Sequence, residues 1–155
     1  MDSATSDRTL SDSAARLRLA ITRTARRLRQ EASGELTPTS AATLATVERH
    51  GPLTPSEVAE IERIRRPSAT RSLRCLEDAG LVRRTPDPTD GRSSLVSITG
   101  AGRERLRRLR GRKNAYLARR MRGLPDADIE TLERAAEILE RIQESERQAV
   151  EGERG

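Results

Sequence analysis

Aromatic side chains are almost missing from this chain of 155 residues: Tyr116 stands by itself, with no phenylalanine and no tryptophan. Any core must therefore be built from aliphatic side chains. Hydrophobic residues make up 34% of the chain and charged residues 35%, so that core is lean and the surface heavily ionised. A chain of this kind struggles to bury enough surface alone, which favours helices sharing a core across a dimer. One cysteine excludes an internal disulfide framework. No apolar run approaches the length of a bilayer, and the stretch from Met1 to Ser11 lacks the hydrophobic segment of a secretory signal. The expectation is a cytoplasmic protein with no membrane partner. Enzyme parts are scarce as well. With one histidine, one cysteine and no glycine-rich phosphate loop, nucleophilic and metal-assisted sites lack their components. Neither catalytic residues, a metal nor a cofactor is expected.

What is abundant is arginine. Of 30 cations all but Lys113 are arginine, and the net charge is +6. A GC-rich genome would account for that preference, yet a positive field draws polyanions whatever its origin. The distribution says more than the total. Arg103 to Arg122 holds ten cations and one acid, Glu104, whereas Asp126 to Arg154 holds ten acids and four arginines. A basic helix followed by an acidic one suggests that they pack on each other or on a partner copy.

Residues 1–10 read as a flexible N-terminus. From Ser11 to Ala32, Ala14, Leu17, Ile21, Thr24 or Ala25, and Leu28 recur at three- and four-residue spacing and predict a helix, which Gly34 closes. Thr37-Pro38 reads as an N-cap and first helical residue, opening a helix through Leu44 and Val47 to His50. Thr54-Pro55-Ser56-Glu57 is a capping box, with Val58, Ile61 and Ile64 facing inward. The next helix runs from Pro67 to Ala79. At about 100° per residue, Ala69, Leu73 and Leu76 share its inner side, while Ser68, Arg71, Arg74, Cys75 and Asp78 share the outer one. Gly80 supplies a left-handed cap, and Leu81 can pack back on Leu76. Later, Thr99 caps a long helix carrying Leu106, Leu109, Tyr116 or Leu117, and Met121. Gly123-Leu124-Pro125 breaks it. Asp126 is expected to cap a last helix whose seam is Ile129, Leu132, Ala136, Leu139 and Ile142. Residues 147–155 read as a flexible tail.

Between Leu81 and Ile98 lie two short strands around turn-forming residues. Pro86 and Pro88 cannot donate to a ladder, and Gly91 is free to take positive φ. Arg92 is the one long cation in that turn. A short helix followed by an arginine-tipped hairpin is the layout of a winged helix, which sets the helix in a DNA major groove and the tip in a minor groove. The fold class is mainly α with a small β-hairpin wing (α+β): a winged helix-turn-helix module over 36–99, and a helical dimerisation region over 11–34 and 100–146.

The runs Leu36-Thr37-Pro38-Thr39, Arg66-Pro67-Ser68-Ala69-Thr70-Arg71, Leu76-Glu77-Asp78-Ala79-Gly80-Leu81-Val82, Asp87-Pro88-Thr89-Asp90-Gly91-Arg92 and Ser97-Ile98-Thr99 resemble the multiple antibiotic resistance regulator (MarR) family. Matching signals extend from about Ser11 to Ile142. The resemblance implies a homodimeric transcriptional regulator, usually a repressor, on a pseudo-palindromic operator of double-stranded DNA. It also implies a small-molecule effector, commonly an anionic aromatic, bound between the DNA-binding and dimerisation lobes. This chain departs from the family pattern twice. Arg63-Ile64-Arg65 replaces the usual glycine-containing turn and Ser or Thr cap, at a typical cost of about 1 kcal/mol. Arg74 and Cys75 stand where an acid and an arginine are usual, so the charge has moved by one position.

The recognition-helix set for DNA is thus Arg66, Pro67, Ser68, Ala69, Thr70, Arg71 and Arg74; the wing set is Arg83, Arg84, Asp90, Gly91 and Arg92. Arg71 is suited to bond a guanine edge with two parallel hydrogen bonds, or else holds phosphate or solvent. Arg66 and Arg74 suit phosphates, which fix register without reading sequence. Ser68 and Thr70 suit phosphate, base or helix-start chemistry. Arg92 suits a narrow minor groove, with Asp90 either pairing with it or serving as an ordinary turn residue. Arg83 and Arg84 either flank the duplex or simply point outward. Cys75 is a small side chain rather than a redox sensor, and His50 suits a helix C-terminus. Leu17, Leu117, Ile129, Leu132, Leu139 and Ile142 are the dimerisation candidates. An effector pocket would involve Leu17, Ile21, Leu44, Val47 and Tyr116. The competing function is a non-specific architectural DNA protein driven by charge alone.

Overall fold

The computed structural model describes residues 3–32, 34 and 36–152, with side chains over 8–145 apart from 33 and 35. Among the described residues, six helices and a hairpin follow in the order α1 (Ser3–Glu31), α2 (Pro38–His50), α3 (Pro55–Ile61), α4 (Arg66–Asp78), β1 (Val82–Pro86), β2 (Ser94–Ile98), α5 (Gly100–Met121) and α6 (Asp126–Gly152). The chain divides into two compact units, residues 1–116 and 117–155.

Local chemistry sets the element ends in the first unit. Thr37 accepts from the Ser40 amide at 3.1 Å and starts α2 with Pro38 in its first turn. Thr54 and Glu57 form the expected capping box: the Glu57 amide donates to Thr54 Oγ1, and the Thr54 amide donates to Glu57 Oε2 at 2.7 Å. Each reciprocal bond satisfies an amide that the helix cannot. α4 begins without such help. Arg65 occupies its cap position and contributes no side-chain bond. Its far end closes as the sequence implies, with Gly80 at φ +69° and the Leu81 amide donating to the Leu76 carbonyl at 2.9 Å.

α4 packs against α2, α3 and β1. Ala69, Leu73 and Leu76 are fully buried and meet Leu44, Val47, Val58, Leu81 and Val96 in one aliphatic cluster. Burying each large side chain of this kind contributes about 1.5–3 kcal/mol, so the missing aromatics are replaced by density of leucine and valine. Two hydroxyls join that interior, Ser72 donating to Thr43 across α4 and α2 at 3.0 Å. Thr46 on α2 likewise donates to Glu62 just beyond α3.

β1 and β2 pair antiparallel from Val82 opposite Ile98 to Pro86 opposite Ser94. A third short edge, absent from the sequence reading, is Leu53, whose amide and carbonyl both bond Val96, at 3.1 and 2.8 Å. The first turn of α5 docks on the hairpin base. Thr99 Oγ1 accepts from the Gly102 amide and donates to the Gly80 carbonyl. A Cβ at Gly102 would lie 2.2 Å from the Leu81 carbonyl oxygen, so only glycine permits this approach. Leu106 and Leu109 are buried beyond it, and Arg110 donates to Glu48 of α2.

The long helices differ from the sequence expectation at their ends. α1 is helical from Ser3, within the stretch read as flexible; Met1 and Asp2 lie outside the described residues. In the second unit, Asp126 is the first residue of α6 rather than its cap, the Pro125 carbonyl accepting from Asp128 and Ile129. α6 continues through 147–152, where a flexible tail was expected, and 153–155 lie outside the described residues.

Candidate nucleic-acid interface

Because α4 buries one side, its other side is left to solvent. Arg66, Pro67, Ser68, Arg71 and Arg74 are exposed and Thr70 is half-buried. Five of these six, Ser68 apart, line a shallow depression of about 420 Å³. Ala69 does not belong to this group. It has no exposed surface and sits in the core, where the helical spacing had put it, so it cannot touch DNA. The outer face thus presents three guanidiniums and small polar side chains without a large apolar residue.

The hairpin presents its charge differently from the sequence expectation. Asp90 Oδ1 accepts from the backbone amide of Arg92 at 3.0 Å, so Asp90 shapes the turn rather than pairing with the Arg92 side chain. Gly91 does not take positive φ; among the described glycines only Gly34 and Gly80 do. Asp87 does the matching work on the entering side, accepting from the Thr89 amide at 2.9 Å and hydroxyl at 2.7 Å. Those two donors hold its carboxyl below the usual carboxylate range. Arg92 is left exposed at the tip, and Arg83 points outward from β1.

Arg84 is the clearest change of role. Its Nε donates to Glu77 Oε2 at 2.8 Å and its Nη1 to Ser94 Oγ at 3.4 Å. The side chain therefore joins α4, β1 and β2. Spacing along the chain gave no hint of Glu77 as its partner, because the two residues lie on different elements. Below the wing, the Glu57 carboxyl is also held below its ordinary value, first by the Thr54 amide and then by the Thr54 hydroxyl, while Asp87 nearby pushes it up.

Leu44 and Val47 are sealed in the core at 0% and 1% exposure and have no surface with which to line an effector pocket. Leu17 lines a shallow depression on α1 with Leu19 and several polar neighbours, Ile21 is exposed on α1, and Tyr116 is half-buried on α5. Of the dimerisation candidates, Leu17, Leu117, Leu132 and Ile142 expose 39–53% of their surface, while Ile129 and Leu139 are half-buried. Cys75 is a free, exposed thiol on α4. Among the described residues no group of His, Cys, Asp and Glu could hold a metal ion, and no helix is long and apolar enough to cross a membrane.

A basic helix face standing free on a tight aliphatic core, beside an arginine-tipped hairpin braced against that helix, defines a winged helix-turn-helix DNA-binding protein. The sequence profile of the MarR family matches residues 36–94. An HTH-type transcriptional regulator of Mycobacterium leprae is 37% identical over 131 residues, covering 83% of this chain and 92% of its own. A relative from Mycobacterium tuberculosis, also an HTH-type transcriptional regulator, is 35% identical over 124 residues, covering 79% and 87%. Among solved structures, a transcriptional regulator protein from Pseudomonas aeruginosa PA01 superposes with a TM-score of 0.78 at 33% identity, covering 87% of this chain and 96% of that one. A MepR mutant from S. aureus, solved bound to an oligodeoxyribonucleotide, shares the fold at a TM-score of 0.65 and 18% identity, with coverage of 84% and 97%. The chain belongs to the MarR family of transcriptional regulators and is not an enzyme.

Proposed function

We propose that this regulator acts in the cytoplasm as a homodimeric repressor that binds a pseudo-palindromic operator. α4 would enter the major groove with Arg71 on a base edge, Arg66 and Arg74 would hold phosphates, and Arg92 would enter the adjacent minor groove. The observation that carries this reading is the division of α4: a side with no solvent contact at Ala69, Leu73 and Leu76, and an opposite side made of free arginines. A helix so anchored presents its cations at fixed spacing, which base reading requires and charge attraction alone does not.

Pairing follows from the apolar surface left uncovered on the long helices, Leu10, Leu17 and Ile21 on α1 and Leu132, Ile138 and Ile142 on α6. Twofold pairing would set two recognition helices about 34–36 Å apart and demand an inverted repeat. Effector release is not part of the reading, since two of the five residues expected to line such a pocket are buried in the core.

A gel shift with duplex from upstream of its own gene tests the proposal. Tight binding there, with at least about a thousandfold weaker binding to scrambled duplex, is the expected result. Equal affinity for both would replace it with the architectural reading. Sedimentation analysis should give twice the mass of the 17.2 kDa chain, and Leu132→Asp with Ile142→Asp should return the monomer.

A further inference from the structure

A second cleft, of about 620 Å³, opens along another flank of the exposed face of α4, between the start of α2 and the turn that joins α3 to α4. Arg63, Arg65 and Arg71 supply its charge, Thr39 and Ser68 add exposed hydroxyls, and no carboxylate lines it. Among the described residues none of those three guanidiniums has an acidic partner, whereas Arg84, Arg107, Arg108 and Arg110 all do. Three like charges in one cleft, with hydroxyl donors beside them and nothing to balance them, make a seat for an oxyanion.

We infer that this cleft seats a backbone phosphate of duplex DNA, with Arg63 and Arg65 as its cations, so that the footprint extends past the recognition helix onto the α3–α4 turn. The inference rests on the DNA-binding reading above and names contacts that reading lacks. Arg71 decides the source of the phosphate. It lines both this cleft and the depression on the base-reading side, so the two surfaces are continuous across α4. Arg63 and Arg65 are themselves exposed. A small free anion needs a concave site that covers most of its surface, and exposed cations at an open edge hold one poorly. A polyanion held at several other points suffers no such penalty.

The test is an Arg63→Gln/Arg65→Gln double variant of the full chain, with operator binding followed by fluorescence anisotropy at several salt concentrations. Both side chains are exposed, and an unchanged unfolding temperature verifies the fold. The slope of log affinity against log salt should shrink by about 0.9 for each phosphate that is no longer neutralised. Operator and scrambled duplex should weaken by the same factor, leaving their ratio unchanged. An unchanged slope and affinity would overturn the inference, as would a changed ratio at constant slope, which is the mark of base reading. A rise in the parent's unfolding temperature with inorganic phosphate over chloride at equal ionic strength, lost in the variant, would assign the cleft to a free anion instead. Failure of the parent to discriminate operator from scrambled duplex bears on the proposed function alone, because the change in salt slope is still read on either DNA.

Discussion

Glu77, near the end of α4, accepts a 2.8 Å hydrogen bond from Arg84 in β1. The pair fixes the helix relative to the hairpin at the point where the two leave the common core. With side chains 27% and 38% exposed, it is worth roughly 0.2–1 kcal/mol to stability. Its greater effect is on geometry. Glu77→Gln and Arg84→Gln should each weaken operator binding, and the double variant should be little worse than either. A double-mutant cycle on operator affinity measures this coupling. If Arg84→Gln alone weakened binding, with a lower salt slope, Arg84 would be a phosphate contact as its position in the sequence first suggested.

Acid should loosen the start of α3. The folded pKa of Glu57 is depressed by its bonds from Thr54, so its contribution is present above the ordinary value of 4.5 and is lost as pH falls below it. Glu57→Gln removes that component. Its unfolding temperature should therefore fall less steeply than the parent's between about pH 5 and pH 3, a difference that thermal melts across the range detect.

Gly102→Ala should destabilise. Alanine is favoured over glycine inside a helix by about 1 kcal/mol, but the added methyl would sit 2.2 Å from a backbone oxygen and 2.7 Å from Ile98 Cγ1. Overpacking of that kind typically costs about 1–3 kcal/mol, and the rigid carbonyl makes the clash win. Gly111→Ala, in the same helix with nothing within 4 Å, should stabilise instead. Urea unfolding of both variants gives opposite signs if α5 docks as described.

Ser72→Ala leaves the buried Thr43 hydroxyl without its donor, at a cost of roughly 1–3 kcal/mol. Adding Thr43→Val removes the stranded group, and the double variant should recover part of the loss. Chemical denaturation of the two variants decides this; a further loss in the double variant would mean that Thr43 has another role.

What could be read from the sequence was what neighbours in the chain decide among themselves. The Thr54–Glu57 box, the Gly80 cap and the inward side of α4 each depend on residues a few positions apart, and the structure has all three. Relationships closed by the fold were not legible. Leu53, a single apolar residue between Pro52 and Pro55, has no period to mark it as strand, yet it pairs with Val96. Arg84 read as either flanking the duplex or pointing outward, and the fold brings Glu77 within its reach. Leu44 and Val47 looked available for an effector because spacing gives the apolar face of α2 without saying what covers it. Gly91 carried the freedom to adopt a left-handed turn, but Asp87 and Asp90 shape the loop through side-chain bonds and leave that freedom unused.

The Leu53–Val96 pair holds the second wing strand midway along its length, and Arg84 holds the first. Beyond those anchors the hairpin projects from Thr85 to Leu95, like a short beam clamped near its free end. Such a beam bends at the tip without disturbing its root. Arg92, exposed at the tip, can be exchanged without altering the packing of the helices beneath.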